Sequence, residues 1–336
     1  MKYRELGKTR LQVSEIGFGC GNVGGLMMRG SYEEQVQAVK RATELGINYF
    51  DTSARYGNGL SETNLGRVLQ ELQPKNVVIA TKVGLGFEDL DDVRGDVLQS
   101  LNNSLRRLNL ESVDVFMLHT QLALTRGGFR PSTLGVDDVL SVGGVADVFD
   151  EVKSQGLIRY SGFTGLGETE ALHQVVASGR FDVVQVYYNL LNPSAGFAVP
   201  DGFVGHDFKL LIDKASEKGM GVAVVRVLAG GALGGNNARQ GYAAPMLGSV
   251  LVEGADYKAD EERTTKLQFL LSSDVKSLPG AGIRFALMNQ AVSTVLVGFS
   301  NLRQIEDAVS CSEEKPFPGK MVEQLRDLWA TDFGRK

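Results

Sequence analysis

At 336 residues, with 43% hydrophobic and 22% charged side chains, the chain can bury the core of one large α/β domain or two ordinary ones. A formal net charge of -5 and the lack of any basic tract exclude a general nucleic-acid binder, so an anionic ligand would have to be held by local groups. Two distant cysteines, Cys20 and Cys311, give no disulfide framework, and the N-terminus MKYRELGKTR has no apolar leader. With no run approaching eighteen apolar residues, the expectation is a cytoplasmic protein that does not enter a membrane.

Taken in chain order, the residues before the first strand (YRELGKTRLQVSEIG) alternate around Gly7-Lys8-Thr9, which predicts a β-hairpin under the fold. A strand SEIGFG (14–19) leads into Gly19-Cys20-Gly21-Asn22-Val23-Gly24. That is G-x-G-x-x-G after a strand, and Asp51 ends the next strand, which is the skeleton of a Rossmann unit. The chain then runs through Gly25 to Gly30 before its helix begins near Ser31, so the helix dipole is not at the glycines and the motif is set aside. Ser31 and Glu34 form a capping box, Val36, Val39 and Thr43 mark an inner stripe, and Gly46 stops the helix. Strands NYFDTS (48–53), VVIATKV (77–83), VDVFMLH (113–119), IRYSGFT (158–164), VVQVYYN (183–189), GVAVVRVL (221–228) and STVLVGF (293–299) follow. Helical segments separate them, one starting at Ser61 and another closing at Gly219. Near-continuous apolar strands alternating with helices predict a parallel sheet buried on both faces, closed as a single (β/α)8 TIM barrel over residues 1–336. Two stretches, 120–144 and 231–262, are too long for ordinary βα loops and would hang over the active face at the strands' C-terminal ends.

Four proton-active residues fall at the ends of consecutive strands: Asp51 and Tyr56 after the second, Lys82 after the third, His119 after the fourth. A phenol titrates near ~10, too high for efficient acid-base work at neutral pH unless its ionised form is stabilised. A neighbouring lysine does this by Coulomb attraction, and a carboxylate orients the lysine. Alone, Asp51 reads as a loop-fixing group, Lys82 as a surface charge and His119 as a core histidine. Their coincidence at one barrel mouth points to proton transfer.

The words DTSARYGNGLSE (51–62), ATKVG (80–84), LNLESVDVFMLH (108–119), GLIRYSGFT (156–164), VVQVYYNLL (183–191), VLAGGALGG (227–235) and TVLVGFSNLRQIEDAV (294–309) together resemble the aldo-keto reductase superfamily over nearly the whole chain. The resemblance implies that Asp51, Tyr56, Lys82 and His119 are the catalytic tetrad, with no metal required. It also implies a nicotinamide cofactor across the barrel mouth. Thr164 and Gln185 would meet its carboxamide, Asp51 its ribose, and Gly19, Cys20 and Gly21 would form the glycine-rich turn. Arg226, Leu228 and Gly230 fall in the seventh-strand word, and Gly298, Ser300, Gln304 and Asp307 would hold the phosphate and adenine end. Two departures matter. Val225-Arg226-Val227-Leu228 lacks the aromatic and proline that many members carry, and Arg226 could bind pyrophosphate, a substrate acid group or a loop carboxylate. Around Ser300 only Arg303 offers a cation for a 2′-phosphate, while Asp307 would either hydrogen-bond adenine or repel that phosphate, so NADP(H) is favoured modestly over NAD(H).

The implied activity is reduction of aldehydes or ketones, or the reverse, on a small-molecule carbonyl or sugar substrate. An aldose 1-dehydrogenase of the galactose type, making a lactone, is the alternative. A non-catalytic cofactor-binding regulatory subunit is a rival, opposed by the presence of all four tetrad members. Phe129, Arg130, Tyr242 and Met246 are candidate pocket residues in the long loops.

Overall fold

The computed structural model describes residues 1–234, 241–244, 256–272, 275–313 and 316–335. Eight parallel strands close into a barrel: β1 (Ile16–Gly19), β2 (Tyr49–Asp51), β3 (Val78–Val83), β4 (Val113–Leu118), β5 (Ile158–Gly165), β6 (Val183–Tyr187), β7 (Gly221–Val225) and β8 (Thr294–Gly298), with β8 returning to β1. All eight fall within or against the predicted runs, in sequence order. After each strand comes an outer helix, from Tyr32–Glu44 behind β1 to Leu302–Ser310 behind β8. Each βα connection brings the next strand beside the previous one, so the sheet order follows the sequence order. The stretch 120–144 carries Leu122–Ala123 paired in parallel with Leu134–Gly135 and a short helix, Val136–Leu140. Much of 231–262, Met246 included, lies outside the described residues.

Strand periodicity decides what fills the barrel. Tyr49, Val78, Ala80, Val115, Met117, Val183, Ala223 and Leu296 form one buried cluster inside it, while the larger apolar core lies between strands and helices. The predicted N-terminal hairpin, Tyr3–Glu5 against Gln12–Ser14, plugs the floor. Leu6 and Val13 of that hairpin are fully buried in the same interior cluster, and Lys8 N donates to Gly219 O at 2.6 Å. Gly7 belongs there because a Cβ would lie 2.2 Å from Gly221 N.

Three local expectations shift. The Tyr32–Glu44 helix has the capping box of Ser31 and Glu34, but its buried face is Gln35, Ala38, Val39 and Ala42. Gln35 turns inward beside Val36, which is half-buried against the same core, because the Gln35 amide donates to the carbonyls of Leu26 and Gly30. A single helical turn, Leu26–Arg29, stands between the glycines and this helix. The seventh strand ends at Val225, three residues before the predicted boundary, because Arg226 takes φ 59° and breaks the extended run.

Candidate active site

Because side chains alternate in and out of the barrel, the residue two beyond an interior core position sits one layer higher and faces the mouth. Tyr49 thus leads to Asp51, Ala80 to Lys82, Met117 to His119 and Val183 to Gln185. Tyr56 arrives differently. The chain leaves β2, and Gly57 (φ 60°), Asn58 (φ 57°) and Gly59 (φ 88°) reverse it, returning into the helix Leu60–Leu72. Three successive left-handed residues explain the YGNG word, since only glycine, and next best asparagine, adopts that region cheaply.

The four groups meet. Lys82, with no solvent exposure, donates from Nζ to Asp51 Oδ1 at 2.7 Å and to the Thr52 carbonyl at 2.7 Å. Gln185 Nε2 donates to the other Asp51 oxygen at 2.5 Å. The Lys82 ammonium lies 5.0 Å from the Tyr56 ring centroid, and the Tyr56 and His119 rings meet edge-on at 5.6 Å. His119 Nδ1 is 3.0 Å from Ser53 Oγ. Gly21 closes the other side, where a Cβ would come within 3.2 Å of the phenol Cζ. The glycine motif therefore makes room for Tyr56, and the same loop packs on the eighth strand, since a Cβ on Gly24 would lie 2.2 Å from Phe299 N.

Charges follow from this packing. Burial alone would lower the Lys82 ammonium, but Asp51 and the Tyr56 phenol raise it above its ordinary value. Burial lifts Asp51 above the usual carboxylate value, and Lys82 and Gln185 restrain the rise. The sequence expectation was a lowered Tyr56 phenol. Lys82 does pull that way, yet burial is the larger effect and the phenol stands above its ordinary value. Burial, with the Lys82 and Arg55 charges, holds His119 well below the usual imidazole value, so the ring is neutral at physiological pH.

Two residues without an assigned role in the sequence reading support the set. Glu62, fully buried, accepts from Thr81 Oγ1 at 2.5 Å and from Arg107 Nε at 2.7 Å, fixing the strand that carries Lys82 from behind. Ser53 holds His119. Both lie inside the DTSARYGNGLSE word, but a buried polar residue whose partners come from other elements leaves no hydropathy signal.

A model of the Aldo/keto reductase family matches residues 15–330. The chain belongs to the aldo-keto reductase family. It is 30% identical to an L-galactose dehydrogenase from Arabidopsis thaliana over 337 residues, spanning 98% of this chain and 94% of that protein. It is 24% identical to a D-threo-aldose 1-dehydrogenase from a Pseudomonas species, with 88% of each chain covered. Among solved structures, an aldo-keto reductase from Bacillus halodurans in its holo form superposes with a TM-score of 0.71 at 24% identity, covering 98% of this chain and 96% of that one. Members of the aldo-keto reductase family bind NAD(P)(H), and this chain is an NAD(P)(H)-dependent oxidoreductase.

The remaining rim residues fit such a cofactor. Thr164 and Gln185 are neighbours across the β5–β6 register, and Thr164 Oγ1 is buried with no hydrogen-bond partner among the described residues. An orphaned buried hydroxyl is costly unless a ligand meets it. Because Gln185 Nε2 is engaged by Asp51, its oxygen is the end left for a carboxamide donor. Gly19 and Gly298 pair across β1 and β8, while Cys20 N is taken by the Asp51 carbonyl at 2.8 Å. The Cys20 thiol is buried and pushed well up by burial and by Asp51, so it is inert as a thiolate. Beyond β7, Arg226 (φ 59°), Ala229 (φ 48°) and Gly230 (φ 68°) form a left-handed rim with Leu228 half-buried between them. The Arg226 carbonyl accepts from Asn189 Nδ2 at 3.0 Å.

Around the helix after β8 the candidate side chains serve the scaffold. Ser300 Oγ donates to the Gly24 carbonyl at 2.6 Å, its N–H donates to Gln304 Oε1 at 2.7 Å, and Asn301 caps the helix on Gln304 N at 3.0 Å. Asp307 is exposed one turn on, 3.8 Å from Arg303 Nε. Of the loop candidates, Phe129 packs edge-on to His206 with the Arg130 guanidinium 5.6 Å from its ring centroid, and Tyr242 donates to Glu34 at 2.7 Å.

Proposed function

We propose that this protein interconverts aldehydes or ketones, sugar-like carbonyls among them, with alcohols, Tyr56 moving the proton at the carbonyl oxygen. The observation that supports it most is the buried Lys82–Asp51 pair at 2.7 Å beside the Tyr56 phenol. A bound nicotinamide supplies hydride chemistry at the carbonyl carbon. Thr164 and Gln185 would hold its carboxamide, and the rim from Arg226 through Gly230 together with Gly298, Ser300, Gln304 and Asp307 would hold the rest.

The chain's own residues handle the oxygen. In reduction, Tyr56 donates its proton to the developing alkoxide, and Lys82 stabilises the phenolate left behind. Asp51 keeps the ammonium charged and aimed. His119, neutral, donates a hydrogen bond to the same oxygen and orients it. In oxidation each role reverses, and Tyr56 as phenolate accepts the hydroxyl proton.

A polar substrate is favoured by Arg55. It follows Ala54 on the β2 loop, and its Nε lies only 1.9 Å from where a Gly84 Cβ would be, so its guanidinium rests on the β3 loop at the rim. Apart from Asp51 at the end of β2, the proposed cofactor residues come from β5 to β8 and the β1 loop, which would leave most of the β2 to β4 side for substrate, where Arg55 can meet hydroxyl oxygens. Oxidation of an aldose at its anomeric carbon is the second reading, supported by the two sugar dehydrogenases among the relatives. A panel of aldehydes and aldoses, run in both directions with both cofactors, separates the two. Tyr56→Phe should bind NADPH and lose about 10² to 10⁴-fold in turnover. Retained turnover would remove Tyr56 from its role.

A further inference from the structure

Ser53 touches no expected ligand position, yet its hydroxyl is fully buried and lies 3.0 Å from His119 Nδ1. The same oxygen accepts the Arg55 amide N–H at 3.1 Å. A hydroxyl has one hydrogen to give and two lone pairs. One lone pair is used by Arg55. If Nδ1 carried a proton, the second lone pair would accept it, and the Ser53 hydrogen would be left with no acceptor among the described residues. Among the described residues the only acceptor within hydrogen-bond distance of Ser53 Oγ is Nδ1 itself. A buried donor without a partner costs more than a hydrogen bond gains, so the arrangement in which every group is satisfied wins. In that arrangement Ser53 donates to Nδ1, and the ring proton must sit on Nε2.

We infer that Ser53 is a positioning residue that fixes the Nε2–H tautomer of His119, so that the imidazole presents a donor rather than a lone pair to the substrate oxygen. This inference rests on the oxidoreductase reading for its consequence in turnover, but not for the tautomer itself. The neighbours agree in sign. The two cations near the ring, Lys82 and Arg55, oppose a second ring proton and leave a neutral imidazole whose tautomer matters. A neutral imidazole in the other tautomer would point a lone pair at the carbonyl oxygen and repel it. Backbone geometry keeps the pair in register, since His119 N donates to the Val83 carbonyl at 2.7 Å and Tyr56 N donates to the Ser53 carbonyl at 3.0 Å.

The test combines two readouts on the whole protein. The chain has three histidines, so ¹⁵N-imidazole NMR resolves each ring, with His119→Gln assigning the signal of interest. The native protein should show His119 with Nε2 protonated and Nδ1 bare. Ser53→Ala, at unchanged near-ultraviolet circular dichroism, should show an Nδ1–H population, with kcat for carbonyl reduction lower by on the order of tenfold and KM nearly unchanged, the signature of a donor felt in the transition state. Ser53→Thr, which restores the hydroxyl, should recover both. A native His119 protonated at Nδ1, or a Ser53→Ala spectrum identical to the native one, overturns the tautomer assignment whatever the activity does. A shifted tautomer with kcat intact overturns the positioning role. A native protein with the expected tautomer but no carbonyl turnover leaves the hydrogen bond standing and refutes the functional reading instead.

Discussion

Lys82 Nζ stands 2.7 Å from Asp51 Oδ1, the lysine fully out of solvent and the aspartate 5% exposed at its side chain. Removing one partner leaves an unpaired buried charge, whereas removing both leaves a polar but neutral gap. Lys82→Met should therefore cost about 3–5 kcal/mol in denaturant unfolding, and Asp51→Asn combined with Lys82→Met should cost less than the two singles added. Additive losses across the cycle would show that the two charges are not energetically coupled.

The pH dependence of turnover follows from Tyr56. Burial lifts the phenol above its ordinary value against the pull of Lys82, so the protonated form prevails through neutral pH. Reduction, which needs that form, should be flat from roughly pH 6 to 9 on this group's account. Alcohol oxidation needs the phenolate and should rise toward alkaline pH. Lys82→Met deletes the lowering influence, so its residual oxidation should rise only at still higher pH. Profiles in both directions check the sign, and a mutant profile moved toward acid would contradict it.

Much of this was legible beforehand because strand alternation and helix punctuation are local. The eight apolar runs, the Ser31–Glu34 box and the floor hairpin each depend on residues within a few positions of one another. That Asp51, Tyr56, Lys82 and His119 meet at one mouth was legible from their places after consecutive strands. What escaped depended on partners far away in sequence. Gln35 is more deeply buried than Val36 because the carbonyls of Leu26 and Gly30 await its amide. Glu62 is buried only because Thr81 and Arg107 surround it, and the upward direction of Tyr56 reflects enclosure that no motif encodes.

His119 gives a stability signature. Its folded-state value lies well below the ordinary 6.5, so as pH falls through 6.5 the unfolded chain gains a proton the native state refuses. Native stability should decline from that point downward because of this residue, and above it the residue contributes no slope. His119→Gln should lose this part of the decline. The comparison must be made as mutant minus native, because Asp260 titrates nearby with the opposite sign. If the difference is flat between roughly pH 7 and 5, the imidazole is not buried in its neutral form.

Asp260 itself makes a second stability test. Arg263 bridges it at 2.8 Å to Asp332 at 2.9 Å, and burial, the largest effect, pushes its carboxyl up to about 6. A raised carboxyl favours the native state while protonated and costs stability once ionised, so the penalty grows as pH rises toward 6 and stays thereafter. Asp260→Asn cannot ionise. Its stability relative to the native chain should improve by about 1–2 kcal/mol between roughly pH 5 and pH 8. A relative loss over that range would mean that the Arg263 ion pair outweighs burial.

We expect cofactor choice to turn on Arg303 and Asp307, one turn apart on the helix after β8. Both side chains are largely exposed, at 88% and 69%, and they stand 3.8 Å apart, a separation at which an exposed pair contributes little to stability. That leaves the guanidinium available to fork onto a phosphate while the carboxylate opposes one. Arg303→Ala should weaken NADPH binding by roughly fivefold to tenfold and leave NADH unchanged, the loss shrinking as salt screens the contact. Asp307→Asn should act the other way, tightening NADPH with little effect on NADH. Fluorescence titration of both cofactors with both variants reads this directly. An equal loss for NADPH and NADH in Arg303→Ala would place the arginine away from the 2′-phosphate and end the case for an NADP(H) preference.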